Sequence, residues 1–223
     1  MLSIWGVSYG NDAPYVDSIG VFNRIELYGN VDVVCHVAND STGLIRLSNP
    51  KDKNLFYITL KKGTLTISVM QEFEGNPDLP KIEVFTDSLS SVENSYDRTL
   101  RITDTVKSDS FKAKQQGNGA IIIDSLHSDK VNLSSTAGKG TVKILSGKCH
   151  SLSCKITGTG SIDARGLEAD KISCRFFGGG KIVCSPSNKL SVFGIGTTKV
   201  YYTGNPKIKK FWNKCYRLED KHN

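Results

Sequence analysis

Several absences narrow this sequence before any motif does. No run of 18 or more apolar residues occurs, so no helix of membrane-spanning length is encoded. No segment sustains a helical period, which leaves little room for a helical bundle or for crossover helices. Cys-x-x-Cys is absent, so the commonest zinc and redox signature is missing although six cysteines are present. Gly-Lys-Ser/Thr, Gly-x-Ser-x-Gly and His-Glu-x-x-His are absent too, which removes phosphate loops, hydrolase elbows and the commonest zinc-protease helix. Proline is scarce (6), whereas glycine is plentiful (21) and Ser, Thr, Val and Ile are frequent.

The glycines are ordered. Gly117-Asn118-Gly119, Gly138-Lys139-Gly140, Gly158-Thr159-Gly160, Gly178-Gly179-Gly180 and Gly194-Ile195-Gly196 recur between Phe111 and Val200. Aliphatics follow the first four units at the same offset: Ile121, Val142, Ile162 and Ile182. A period near 20 with two alternating segments per unit is a stacked β architecture. Each unit is too short for a crossover helix and two strands, so each winds once around an axis. Neighbouring windings then pair in parallel about 4.8 Å apart. Equivalent residues form inward ladders, one of Ile123, Ile144, Ala164 and Cys184, another of Leu133, Cys154 and Cys174. Burial of such side chains stabilises by about 1.5–3 kcal/mol each. The longer first interval needs one extra residue, expected as a bulge near Thr136-Ala137.

The net charge of +7 is unevenly spread. Residues 1–110 carry 10 Lys+Arg against 15 Asp+Glu, and residues 111–223 carry 19 against 7. The repeats and tail are therefore a basic block that admits an acidic polymer, although outward lysines also serve solubility and block edge pairing.

Along the chain, residues 1–17 read as a leader or disordered tail. Leu2 to Val7 are mildly apolar without a basic stretch before them, so a trimmed signal peptide is the other reading. Residues 18–206 form one β-solenoid domain, with looser spacing in the N-terminal portion. There Lys62-Gly63 marks a hairpin bend, and Gln71 to Pro80 is an acidic loop. Residues 207–223 are a basic aromatic tail whose Ile208, Phe211, Trp212 and Tyr216 are expected to cap the open end of the stack.

The ordered set of Phe22-x-x-Ile25, Gly29-x-Val31-Asp32-Val33, Lys62-Gly63-x-Leu65-x-Ile67, Lys81-Ile82-x-Val84, the serial glycine windings and Val200-Tyr201-Tyr202-x-Gly204-Asn205-Pro206 resembles one family. It is that of the putative auto-transporter adhesin, head GIN domain proteins common in Bacteroidetes. The resemblance spans roughly Ser18 to Pro206. It implies a right-handed parallel β-helix, exported to the periplasm or surface and often lipid-anchored. The six cysteines and the lack of a recognisable lipobox depart from that pattern. No enzyme activity and no cofactor are implied.

Two outward ladders bear on chemistry. Lys114, Lys155 and Arg175, with Ser134 in the gap, stack like charges that splay into solvent or take an anion. An acidic glycan is the expected ligand; another surface protein or a second copy in a homo-oligomer are the other partners. No nucleic-acid partner is expected. Asp129, His150 and Asp170 share a corner of three windings, where solvated loop residues are the plain reading. A carbohydrate-active enzyme, lyase or hydrolase, is the alternative, since grouped acids and bases can cleave polysaccharides. Cys149, His150 and Cys154 have too few ligands at too irregular a spacing to indicate a metal; buried thiols are expected instead.

Overall fold

The computed structural model describes residues 14–38, 41–211 and 215–217. Eight short strands come first: β1 (Tyr15–Ser18), β2 (Arg24–Tyr28), β3 (Val33–Val37), β4 (Leu44–Leu47), β5 (Phe56–Lys61), β6 (Thr64–Val69), β7 (Ile82–Thr86) and β8 (Ser91–Asn94). Five long ones follow: β9 (Thr99–Gln116), β10 (Ala120–Thr136), β11 (Thr141–Gly158), β12 (Ser161–Gly178) and β13 (Lys181–Gly196). Then come β14 (Lys199–Tyr202), β15 (Lys207–Phe211) and β16 (Cys215–Arg217).

Each long strand is one winding of a parallel β-solenoid. Ala120 lies opposite Thr141, and Thr141 opposite Ser161. The inward ladders form as the period requires: Ile123 stands beside Ile144, Ala164 beside Cys184, and Leu133, Cys154 and Cys174 in a row. All seven side chains are buried in one continuous core.

The second glycines of the repeat explain themselves through close backbone approach. Each carbonyl accepts from the residue after the next winding's glycine: Thr141 N donates to Gly119 O (2.9 Å), Ser161 N to Gly140 O (2.9 Å) and Lys181 N to Gly160 O (3.3 Å). A Cβ on Gly160 would meet the side chain of Ser135 and stand 2.7 Å from the Gly140 oxygen. The extra residue of the first interval is Ala137, in the left-handed region at φ 56°. Thr136 pairs with Thr157 but Thr141 with Ser161, so this turn holds one residue more than the next.

One phase is corrected. The spacing takes Gly194 as the partner of Gly178, but Gly178 stands opposite Gly196, and Gly194 opposite Phe176. The last full winding is shorter: Ala164 pairs with Cys184 and Glu168 with Ser185, so Arg165, Gly166 and Leu167 have no counterparts. A second shift follows, where Asp170 alone stands against Ser187 and Asn188, so the net loss is two residues and the flanking strands stay in register.

The N-terminal portion is interleaved. β2 pairs with both β6 and β8, and β3 with both β7 and β9, so the first strand pair sits between two windings made later in the chain. Antiparallel strands close this end. β5 pairs with β6 across Lys62-Gly63, both at positive φ, the geometry of a tight hairpin turn. β4 pairs with β7, and β1 with β4, so Tyr15–Ser18 joins the sheet from within the stretch expected to be leader. At the other end β15 pairs with β13 and β16 with β14. The backbone of the tail thus extends the stack. Ile208 is 41% exposed; Trp212 and the side chains of Phe211 and Tyr216 lie outside the described residues.

Candidate functional site

The register determines which outward residues become neighbours. On one face Glu93, Lys114, Ser134, Lys155, Arg175 and Phe193 form a continuous row across β8 to β13. Lys114 stands apart from the other two cations of the ladder. Its Nζ lies 3.0 Å from Glu93 Oε1, the same oxygen that accepts from Gln116 Nε2. Lys155 and Arg175 are side by side and have no carboxylate partner among the described residues. They border a groove of about 680 Å³ that Lys189, Lys209, Phe177 and Phe193 also line, with Ser173 and Ser191 between them. Like charges one strand spacing apart repel, and an anion placed between them removes that repulsion.

Sequence spacing did not reveal Lys189, Lys209, Phe177 and Phe193. Phe177 follows Arg175 by two on the outward face of β12; the shortened winding shifts β13 so that Lys171 pairs with Lys189 and Arg175 with Phe193, and β15 brings Lys209 in opposite Ser191.

The corner carries a second groove, of about 660 Å³. Ser128 pairs with Cys149 and Lys130 with Ser151, which sets Asp129 beside His150; Cys149–Ala169 and Ser151–Lys171 set His150 beside Asp170. His150 Nδ1 stands 3.4 Å from Asp170 Oδ2, and Lys171 Nζ 3.8 Å from the same oxygen. Lys107, His127, Lys148 and Glu168 form the facing row, where Lys148 and Glu168 pair at 3.5 Å. Two strand spacings separate Asp129 from Asp170, about 9.6 Å, at the far end of the range for inverting glycosidases. The groove is open, and the His150 side chain is 59% exposed.

Cys149 and Cys154 point into the core while His150 points out, so the three do not converge. Burial pushes the Cys149 thiol up to about 12. A hydrogen bond with Cys174, reinforced by burial, raises the Cys184 thiol, which also donates to Tyr201 O. None of Cys35, Cys149, Cys154, Cys174 and Cys184 is disulfide-bonded, and all five are buried.

The model of one family, described as "putative auto-transporter adhesin, head GIN domain", matches residues 21–206. The chain belongs to this family. Solved structures agree on the fold. A putative adhesin from Bacteroides fragilis NCTC 9343 is 23% identical, with a TM-score of 0.79 over 92% of this chain and 94% of that one. A putative adhesin from Parabacteroides merdae ATCC 43184 is 17% identical, with a TM-score of 0.71 over 94% and 97%. A protein from Parabacteroides distasonis ATCC 8503, described as a putative lipid binding protein, is 18% identical, with a TM-score of 0.66 over 94% and 98%. At these identities the likeness concerns the β-solenoid alone. No curated protein matches the chain in sequence. Among the described residues no helix is long and apolar enough to cross a membrane.

Proposed function

We propose that this chain is a non-enzymatic adhesin-type module of the cell envelope or surface, and that its basic face binds an acidic glycan. The observation that supports this reading is the groove in which Lys155 and Arg175 lie adjacent and unneutralised, with Lys189 and Lys209 at its border. Serine hydroxyls between the cations offer donors and acceptors to sugar hydroxyls. Phenyl faces at Phe177 and Phe193 offer apolar surface to the C–H faces of sugar rings. Family membership supports the surface role.

The test is retention of the full chain on immobilised polygalacturonate across a salt gradient. Retention is expected at low salt, falling as ions screen the face, and charge reversal by Lys155→Glu with Arg175→Glu is expected to abolish it. Unchanged retention of that variant would remove the proposal.

The corner groove supports the enzyme alternative through its His150–Asp170 pair. Wild-type protein incubated with the same polymer would then release reducing ends, and His150→Ala would stop the release without changing the melting temperature.

A further inference from the structure

The basic groove does not end in water-loving residues. The outward position before the glycine turn is Gln116, Thr136 and Thr157 in three successive windings, then Phe177 and Ile195. The neighbouring row runs through Ser134, Lys155 and Arg175 to Phe193, whose partner on β15 is Phe211. Phe177 is 48% exposed, Phe193 49% and Ile195 69%. Two preceding windings place threonine where Phe177 and Ile195 stand, and the row of Phe193 carries Ser134, Lys155 and Arg175, so these three apolar side chains are not needed to build the winding. Scattered exposed apolar residues are ordinary; a contiguous group beside a charged groove marks an interaction site.

The chemistry is graded along the strands. Outward residues of β13 run Lys189, Ser191, Phe193, Ile195, and those of β12 run Lys171, Ser173, Arg175, Phe177. Along β13 polarity falls from cation through hydroxyl to hydrocarbon over about 20 Å, six residues at roughly 3.3 Å each, whereas β12 keeps a cation, Arg175, until one outward position before Phe177.

We infer that the ligand of this groove is an acidic glycolipid presented in a bilayer. Its charged sugar lies against Lys155, Arg175 and Lys189, and its apolar portion meets Phe177, Phe193 and Ile195. This rests on the acidic-glycan reading and narrows it. A soluble polysaccharide would engage the cations and leave Ile195 in water. A neutral bilayer would accept the hydrocarbon and leave the cations without counter-charge. An anionic amphiphile satisfies both ends, as it does for basic surfaces with protruding apolar residues at membrane interfaces.

The experiment is flotation of the full chain with phosphatidylcholine vesicles carrying a sulfated galactosylceramide, beside vesicles carrying the unsulfated lipid or phosphatidylglycerol. Polygalacturonate retention runs in parallel. Ile195→Thr installs the residue that two preceding windings use at this position, and Ile195→Lys is a second change at the same exposed site. Wild-type protein is expected to float with the sulfated glycolipid at least tenfold more than with either other vesicle. Both variants are expected to lose that flotation at least tenfold while keeping polygalacturonate retention. Variants that float like wild type, or equal flotation with phosphatidylglycerol, would overturn the inference. Retention on the polymer without any flotation would overturn it too and leave the acidic-glycan reading standing, whereas loss of both would remove both.

Discussion

Lys114 Nζ lies 3.0 Å from Glu93 Oε1, whereas Lys155, two windings further on in the same row, has no carboxylate beside it among the described residues. Position in a ladder therefore does not make cations equivalent. Lys114→Ala is expected to change polygalacturonate affinity by less than twofold. Lys155→Ala removes a cation from the groove and is expected to weaken binding about tenfold and to flatten its salt dependence. Affinity measured at several ionic strengths distinguishes the two.

The core and the surface of adjoining windings should answer oppositely to the same charge. Ile162 is fully buried, so Ile162→Asp places a carboxylate in the dry interior and is expected to destabilise by more than about 4 kcal/mol, or to prevent folding. Ile195→Asp, at a 69% exposed position, is expected to stay within about 0.5 kcal/mol of wild type. Urea unfolding followed by circular dichroism reads both.

Two neighbouring turns set opposite demands on glycine. Gly160→Ala pushes a methyl against Ser135 and the Gly140 carbonyl and should cost about 1–3 kcal/mol. Ala137→Gly relieves a left-handed alanine at φ 56°. The strain relieved, about 1–2 kcal/mol, exceeds the added chain entropy of about 0.5–1 kcal/mol, so this change should stabilise by about 0.5 kcal/mol. Thermal melts of the two variants should shift in opposite directions.

Burial, with a smaller contribution from the charge of Asp104, pushes the Cys35 thiol up from 9.0 to about 12. The folded chain therefore holds this proton more tightly than the unfolded one. The associated stability is complete below about pH 9 and is lost as the pH rises from there toward about 12. The loss is at most about 1.4 kcal/mol per pH unit for one thiol. Urea midpoints at pH 8 and pH 10 should differ less for Cys35→Val than for wild type, and Cys35 should resist alkylation until the protein unfolds.

From Phe111 to Gly180 most of the architecture was legible in the residues. Period, alternation and paired glycines are local properties, and a parallel stack converts each into a ladder without further choice. Leu133, Cys154 and Cys174 fell into one row because their spacing equals one winding. The Ala137 bulge was legible for the same reason, since a 21-residue interval among 20-residue ones must place its surplus somewhere. The phase of Gly194 was misread because a deletion at a corner shifts everything after it by an amount the glycine count does not record.

The amino-acid order alone determined that this chain is a coiled β stack with a dry interior, that its later half is basic, and that it belongs with head GIN domain adhesins. Tertiary structure alone decided three things. It threaded β2 and β3 between windings that come later in the chain, neutralised Lys114 with Glu93, and brought Lys189 and Phe193 beside Lys171 and Arg175. The reason is common to all three. Inward positions obey one rule, burial, and repeat visibly. Outward neighbours depend on which strands pair and in what register, and that is settled by backbone hydrogen bonds between segments far apart in sequence.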